Sequence, residues 1–324
     1  MSGISYPFAV GRIKGLENKL IDQNVWQRLS EAEDEPAMIK ILKENSYGSS
    51  GNGSHTVNEM VASELNEVNL DIKSISPDPT LTNLFYYPED AYNIKILLKG
   101  ILIRKDAKSL LHPSGVIDVT NLIDAISDEN YNDLPPIIGK SIKDSLDLDD
   151  PFEISQKIDN AVLITIRDTL ITHHNILLKH YFDIIFDKIN ILAILRGNAL
   201  KWNPERIIQL LFDGGTLDPK DMCKAIGQTD KQLYSYLATG PNRATYRKIL
   251  EGYSKQHIIS EVESQLDDFA FSTIHEEKND SFGIGPIINY LLEKRREGAS
   301  LRVMAAQKNN PSNHLEKKTY RGDV

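Results

Sequence analysis

The sequence predicts an all-α protein, and three observations support this fold class. Apolar residues recur every three or four positions along most of the 324-residue chain, which is the spacing of amphipathic helices. Alternating Val, Ile and Thr residues with hairpin turns, the pattern of β-strands, are essentially absent. In addition, one helical segment recurs: residues 90–100 resemble residues 187–197 and, more distantly, residues 297–307.

The apolar spacing predicts a series of helices in chain order, bounded by Gly, Pro or clusters of polar residues. They cover residues 9–21, 25–32, 37–42, 56–75, 90–105, 152–199, 230–238, 241–252, 257–271 and 286–308. Pro77 and Pro311 follow two of these segments and end them, because proline cannot continue a helix. We predict a flexible loop at 48–54 and a solvated acidic loop at 147–150.

The recurring segment has a fixed chemical pattern. Each copy begins with an acid, Asp90, Asp187 or Glu297, and an apolar run follows a small polar residue three positions later. The small polar residues of the three copies are Asn93, Asn190 and Ser300. The copies lie about 100 residues apart, which is the size of a domain rather than of a solenoid repeat.

A second module repeats with the same period. Gly115 is followed by Asp118 and then by an Ala-Ile pair, and Gly215 is followed by Asp218 and the same pair. We predict that each Asp is the N-cap of a short helix, because its side chain can accept from the free amides of the first turn. Pro219 supports this prediction, since its missing N–H costs nothing at the first helical position.

The two repeats together predict three similar helical domains, at residues 1–105, 106–205 and 206–324. The net charge of −9 and the pI of 5.4 argue against generic nucleic-acid binding, which requires a basic surface. No segment has the roughly 18 uninterrupted apolar residues of a membrane-spanning helix, and the N-terminus has no secretory signal. We therefore expect a cytoplasmic protein with no direct membrane span.

The sequence predicts no catalytic, cofactor or metal site. His173, His174 and His180 suggest a metal site, but His173 and His180 supply only two ligands on a shared helix face, so surface or partly packed histidines are favoured. The loop at 48–54 lacks the Lys-Ser or Lys-Thr pair of a phosphate-binding loop. Cys223, the only cysteine, is expected to be a buried and inert thiol.

The charged run Glu293, Lys294, Arg295, Arg296 and Glu297 lies within the last predicted helix. It is expected to form a solvated helix face, because it lies on the polar side of Ile288, Leu291 and Leu292. The acidic loop at 147–150 is not a calcium site, since it lacks the turn glycine and the distal glutamate.

Two terminal segments carry a family resemblance. Residues 282–294, with the run Phe-Gly-Ile-Gly-Pro at their start, and residues 300–304 resemble the signature of the C subunit of the V-type and A-type rotary ATPases. The equivalent in the eukaryotic complex is called the d subunit. Residues 6–17, which begin Tyr-Pro-Phe-Ala-Val, resemble the opening segment of the same family. One departure is that Ser300 replaces the Asn of the other two copies.

The resemblance implies an all-helical funnel of three similar domains about a pseudo-threefold axis. It also implies a non-catalytic protein of the central stalk, which forms a socket between the proteolipid rotor ring of the membrane sector and the shaft made by subunits D and F. Such a protein would lie on the cytoplasmic face of the membrane and help link ATP hydrolysis or synthesis to H⁺ or Na⁺ transport. The family supplies no catalytic residues to assign.

Two alternatives stay open. A helical repeat adaptor or scaffold unrelated to rotary ATPases would also explain the repeats. A helical metal-dependent hydrolase would instead use His173, His174 and His180, and bound metal in the purified protein would support it.

Overall fold

The computed structural model describes residues 4–48, 53 and 55–309, which form α-helices and short 3₁₀ helices and contain no β-strand. The α-helices are α1 (Tyr6–Leu16), α2 (Gln23–Glu31), α3 (Glu35–Glu44), α4 (Val57–Ile75), α5 (Pro79–Asn83), α6 (Tyr87–Leu102), α7 (Val119–Ser127), α8 (Pro136–Ser145), α9 (Pro151–His173), α10 (Ile176–Ala199), α11 (Pro204–Gln209), α12 (Pro219–Met222), α13 (Asp230–Leu237), α14 (Arg243–Gln256), α15 (Ile259–Glu276) and α16 (Gly285–Asn309). The all-α prediction is confirmed.

The chain divides into two compact units, one formed by residues 1–82 with 277–324 and the other by residues 83–276. The three domain boundaries and their arrangement in a funnel stay predictions.

The first unit is built around α16, the last helix within the described residues. In it, α16 packs along α4 and also contacts α1 and α3. A core shared by α2, α3, α4 and α16 contains Trp26, Leu29, Met38, Met60 and Leu301, all of which are buried. A helix from the C-terminal end of the chain therefore completes the core of the N-terminal helices.

The second unit is organised around two pairs of long helices. α10 packs along α15, and α9 packs against both α6 and α8. Leu195 of α10 and Leu266 of α15 lie in a core that also contains Leu250 of α14. The repeated segments of the two complete copies lie on α6 and α10.

The predicted N-caps are confirmed. The Asp118 carboxylate accepts hydrogen bonds from the backbone N–H groups of Thr120 and Asn121 at the start of α7. The Asp218 carboxylate accepts from the N–H of Lys220, and Pro219 occupies the first position of α12. Local sequence chemistry therefore determines where these helices begin.

The helical region predicted at 152–199 is two helices. α9 ends at His173, and His174 adopts the left-handed conformation with a φ of 51°. The Asn175 side chain then caps α10 by accepting from the N–H of Leu178. The apolar spacing does not reveal this break, because it continues on both sides of it.

Candidate functional site

Asp90 of α6, the acid of the first repeated segment, binds the backbone of the second module. It is fully buried. Its two carboxylate oxygens accept from the N–H groups of Val116 and Ile117, each at 3.0 Å. Ile117 immediately precedes Asp118, the N-cap of α7. The acid of one motif therefore holds the turn of the other motif in place.

Asp187 of α10 makes the equivalent contact in the second copy. It is also fully buried, and its Oδ1 accepts from the N–H of Leu217 at 3.0 Å. Its Oδ2 accepts from the hydroxyl groups of Thr216 and of Tyr246 on α14, the latter at 2.8 Å. Leu217 immediately precedes the N-cap Asp218. We use the term carboxylate clasp for a buried acid that accepts from the N–H just before an Asp N-cap.

The third clasp joins the two ends of the chain. Glu297 of α16 is fully buried, and its Oε2 accepts from the N–H of Ile21 at 2.7 Å. Ile21 precedes Asp22, which caps α2 by accepting from the N–H of Val25. The sequence identifies Glu297 as the third acid, but only the structure shows that its partner lies near the N-terminus.

The glycines of the second module are required by these clasps. A Cβ atom added to Gly115 would lie 2.1 Å from Oδ1 of Asp90, and one added to Gly215 would lie 2.1 Å from Oδ1 of Asp187. Both distances are far below van der Waals contact. A side chain at either position would displace the carboxylate from the N–H groups that it binds.

The asparagines of the repeated segment form a second tie in the two complete copies. The Asn93 side chain donates to the carbonyl of His112 and accepts from its N–H, both at 2.8 Å. The Asn190 side chain makes the same pair of bonds with Phe212, at 2.8 and 2.7 Å. Ser300, which is shorter and carries a single hydroxyl group, cannot form this two-bond pairing.

A buried lysine adds charge pairing to the third clasp. Lys294 is fully buried, and its Nζ lies 2.9 Å from Oε1 of Glu297 and 2.7 Å from Oε1 of Glu64 on α4. It also donates to the carbonyl of Lys19 at 2.7 Å and lies 5.0 Å from the centre of the Tyr47 ring. One ammonium group therefore connects α16, α4 and the segment after α1.

The prediction that residues 293–297 form a solvated helix face is wrong. Glu293, Lys294 and Glu297 are buried, Arg295 is half-buried, and only Arg296 of this run is exposed. The charges are tolerated in the interior because Lys294 is paired with Glu297 and with the distant Glu64. The spacing of Lys294 and Glu297, three positions apart, is the one sequence signal for this pairing.

Burial raises the pKa of the Asp187 carboxyl group, although hydrogen bonds from Thr216, Leu217 and Tyr246 oppose the shift. Burial and the neighbouring Asp187 charge also raise the pKa of the Tyr246 hydroxyl group. The folded state therefore holds the Asp187 proton more tightly than the unfolded chain, where Asp has a pKa of about 3.9. The resulting stabilisation is fully present below that pH and is lost as the pH rises through the raised pKa.

We expect Asp187→Asn to remove this pH dependence, because the amide does not ionise and its oxygen can still accept from the N–H of Leu217. Relative to the wild-type chain, the variant should gain stability as the pH rises from about 4, by at most about 1.4 kcal/mol per pH unit. Urea denaturation at a series of pH values measures this, with the exposed Asp221→Asn as control. A difference in stability between Asp187→Asn and wild type that did not change with pH would contradict a raised pKa of Asp187 in the folded chain.

The histidines considered as metal ligands, His173, His174 and His180, have exposed side chains. Within residues 4–48, 53 and 55–309, no group of three or more His, Cys, Asp or Glu side chains could hold a metal ion. Cys223 is half-buried rather than buried. Most of the loop predicted at 48–54 lies outside the described residues.

In the described part of the chain, no helix combines the length and the apolar character needed to cross a bilayer.

Comparison with known proteins identifies the family. A family model described as ATP synthase (C/AC39) subunit matches residues 9–314. The C subunit of the A-type ATP synthase of Methanocaldococcus jannaschii is 23% identical over 347 residues, which cover 92% of this chain and 82% of that protein. Its counterpart in the A-type ATP synthase of Thermococcus onnurineus is 28% identical over 141 residues, or 40% of this chain and 35% of that protein. Since the family match spans nearly the whole chain, the chain belongs to the ATP synthase (C/AC39) subunit family of V-type and A-type ATPases.

Proposed function

We propose that this chain is the non-catalytic central-stalk subunit of a rotary ATPase. In this role it is a socket that connects the proteolipid rotor ring of the membrane sector to the shaft made by subunits D and F. It lies on the cytoplasmic face of the membrane and is held there by the complex. ATP hydrolysis or synthesis in the head is thereby linked to H⁺ or Na⁺ transport through the ring.

The three carboxylate clasps are the observation that supports this proposal most directly. A subunit that transmits torque must keep its helices from sliding or twisting against one another. Each clasp ties a long helix to the start of a separate short helix through buried hydrogen bonds. Such bonds are expensive to break, because their donors and acceptors would lose their partners away from water. The clasps therefore favour a mechanical role.

Affinity purification of the tagged full-length chain from its own cells in mild detergent tests the proposal. We expect a small proteolipid, the shaft subunits and the head subunits to co-purify, and we expect ATPase activity in that assembly. The untagged strain is the control for non-specific recovery. Recovery of the chain alone, or with partners that include no membrane ring, would reject the rotary role and favour the adaptor alternative.

A second measurement tests the linking role itself. Membrane vesicles from cells that lack this chain should show no ATP-driven ion uptake, and re-expression of the chain should restore it. If uptake persisted without the chain, the socket function would be wrong even if the chain co-purified with the complex.

A further inference from the structure

An open cleft lies at the C-terminal end of α6 in the second unit. Its cavity volume is about 350 Å³. Its apolar lining residues are Leu97, Ile101, Ile123 and Ile126. Ile101 is 51% exposed, and the neighbouring Ile103 is 59% exposed. Leu97 and Ile126 form a buried floor, and Ile101 is the lining side chain that is most in contact with water.

The rim of the cleft is basic although the chain as a whole carries a net charge of −9. Arg104, Lys105 and Lys108 line it with exposed side chains. Within the described residues, none of these three cations makes an ion pair. The one acid of the rim, Asp106, accepts from the backbone N–H of Lys108 at 3.0 Å. The cleft therefore combines an apolar floor with a rim of net positive charge.

The end of α10 repeats the same backbone geometry. Arg104 and Lys201 both adopt the left-handed conformation, with φ values of 54° and 53°. The N–H of Lys105 donates to the carbonyl of Gly100 at 2.9 Å, and the N–H of Trp202 donates to that of Gly197 at 2.9 Å. These bonds correspond to the Schellman motif that ends helices. The two helix ends are therefore equivalent positions in the two copies.

The chain itself covers the equivalent surface in the second copy. A Cβ atom added to Gly197 would lie 2.5 Å from the side chain of Ile207 on the short helix α11, and Ile207 is buried. In the first copy, the side chain nearest to a Cβ on Gly100 is that of Ala107, at 3.0 Å. Because alanine is much smaller than isoleucine, the first copy is left with an open cleft. In the second copy, the equivalent surface is covered by one large aliphatic side chain, that of Ile207.

We propose that the α6 cleft binds a short segment of a partner protein that inserts one large aliphatic side chain and carries carboxylates on both sides of it. The aliphatic side chain fills the position that Ile207 fills in the second copy. The carboxylates pair with Arg104, Lys105 and Lys108. A concave cleft suits a protruding side chain better than a flat lipid surface, and the basic rim selects an acidic segment.

The binding test uses the purified full-length chain and fluorescent synthetic helical peptides that carry one leucine flanked by glutamates. Fluorescence anisotropy is expected to show binding that weakens with added salt. The same peptide with glutamine in place of glutamate, or with alanine in place of leucine, should bind at least tenfold more weakly. Absence of binding by the acidic peptide, or equal binding of all three, would overturn the proposal.

Two variants of the chain separate charge from shape. The triple variant R104E, K105E and K108E should bind the acidic peptide at least tenfold more weakly. The control is a second triple variant, K140E, K231E and K248E, which reverses three exposed lysines elsewhere in the same unit. This control should bind the peptide as tightly as the wild-type chain. Ala107→Ile should fill the cleft and weaken binding at least tenfold with every rim charge intact. The matched control Ala199→Ile changes an exposed alanine at the end of α10 and should leave the affinity unchanged.

A photo-crosslinking residue at Ile101, introduced in cells, identifies the natural occupant. Crosslinks to an acidic segment with an aliphatic residue would support the proposal. Three outcomes would each overturn it. The first is crosslinking to lipid, and the second is binding of the purified chain to phosphatidylglycerol vesicles that is lost in R104E. The third is self-association of the chain through Ile101. The peptide outcomes do not depend on the rotary role, so this test and the purification test can fail separately.

Discussion

Lys294→Met is expected to lower the free energy of unfolding by about 3–5 kcal/mol, because it leaves two buried carboxylates without their shared cation. Glu64 and Glu297 both lie within 3 Å of the Lys294 ammonium group, and all three side chains are nearly inaccessible to water. Methionine matches the length of the lysine stem but supplies no charge. Urea denaturation followed by circular dichroism measures the loss.

A compensated variant tests whether charge imbalance causes this loss. In the triple variant with Lys294→Met, Glu64→Gln and Glu297→Gln, no charge remains at the site. Each glutamine can still accept a backbone N–H, from Gly48 or from Ile21. We expect the triple variant to recover most of the lost stability, since neutral replacements of buried ion networks are often tolerated.

An exposed lysine supplies the matched control. Lys19 pairs with Glu67 at 3.1 Å, but their side chains are 50% and 36% exposed. Lys19→Met should therefore change stability by less than about 1 kcal/mol. A loss at Lys294 no larger than the loss at Lys19 would show that the buried network contributes nothing beyond a surface pair.

Gly215→Ala is expected to lower the free energy of unfolding by about 3 kcal/mol, through overpacking and broken buried hydrogen bonds. The added Cβ would lie 2.1 Å from Oδ1 of Asp187 and 3.0 Å from the carbonyl oxygen of Asp183. Because the carbonyl belongs to a helix, the carboxylate must move. Its bonds to the N–H of Leu217 and to the Tyr246 hydroxyl group would then weaken.

Gly252→Ala is the matched control for this substitution. Gly252 lies within α14, and a Cβ added there would meet nothing within 4 Å. Alanine should raise stability at this position by about 0.5–1 kcal/mol, since glycine is the more costly residue inside a helix. If both variants were stabilised, the second clasp would not hold the turn rigidly.

Local interactions explain why so much of this fold could be predicted from the sequence. The N-caps Asp118 and Asp218 act on amides two or three positions away, so their function is readable from neighbouring residues. The repeats alone identify Asp90, Asp187 and Glu297 as equivalent acids. The all-helical class followed from apolar spacing, which is also a local property.

The tertiary structure decided which groups these acids bind. Glu297 and its partner Ile21 are 276 positions apart, and Lys294 and Glu64 are 230 positions apart. No local spacing encodes such pairs, so the sequence predicted a solvated face where the structure buries Lys294. The cleft beside α6 also depends on contacts that the sequence does not reveal. Only the folded structure shows that Ala107 leaves open a space that Ile207 fills in the other copy. The sequence by itself determined the helices, their caps and the repeated acids, whereas packing determined which charges are buried and which surfaces are left open.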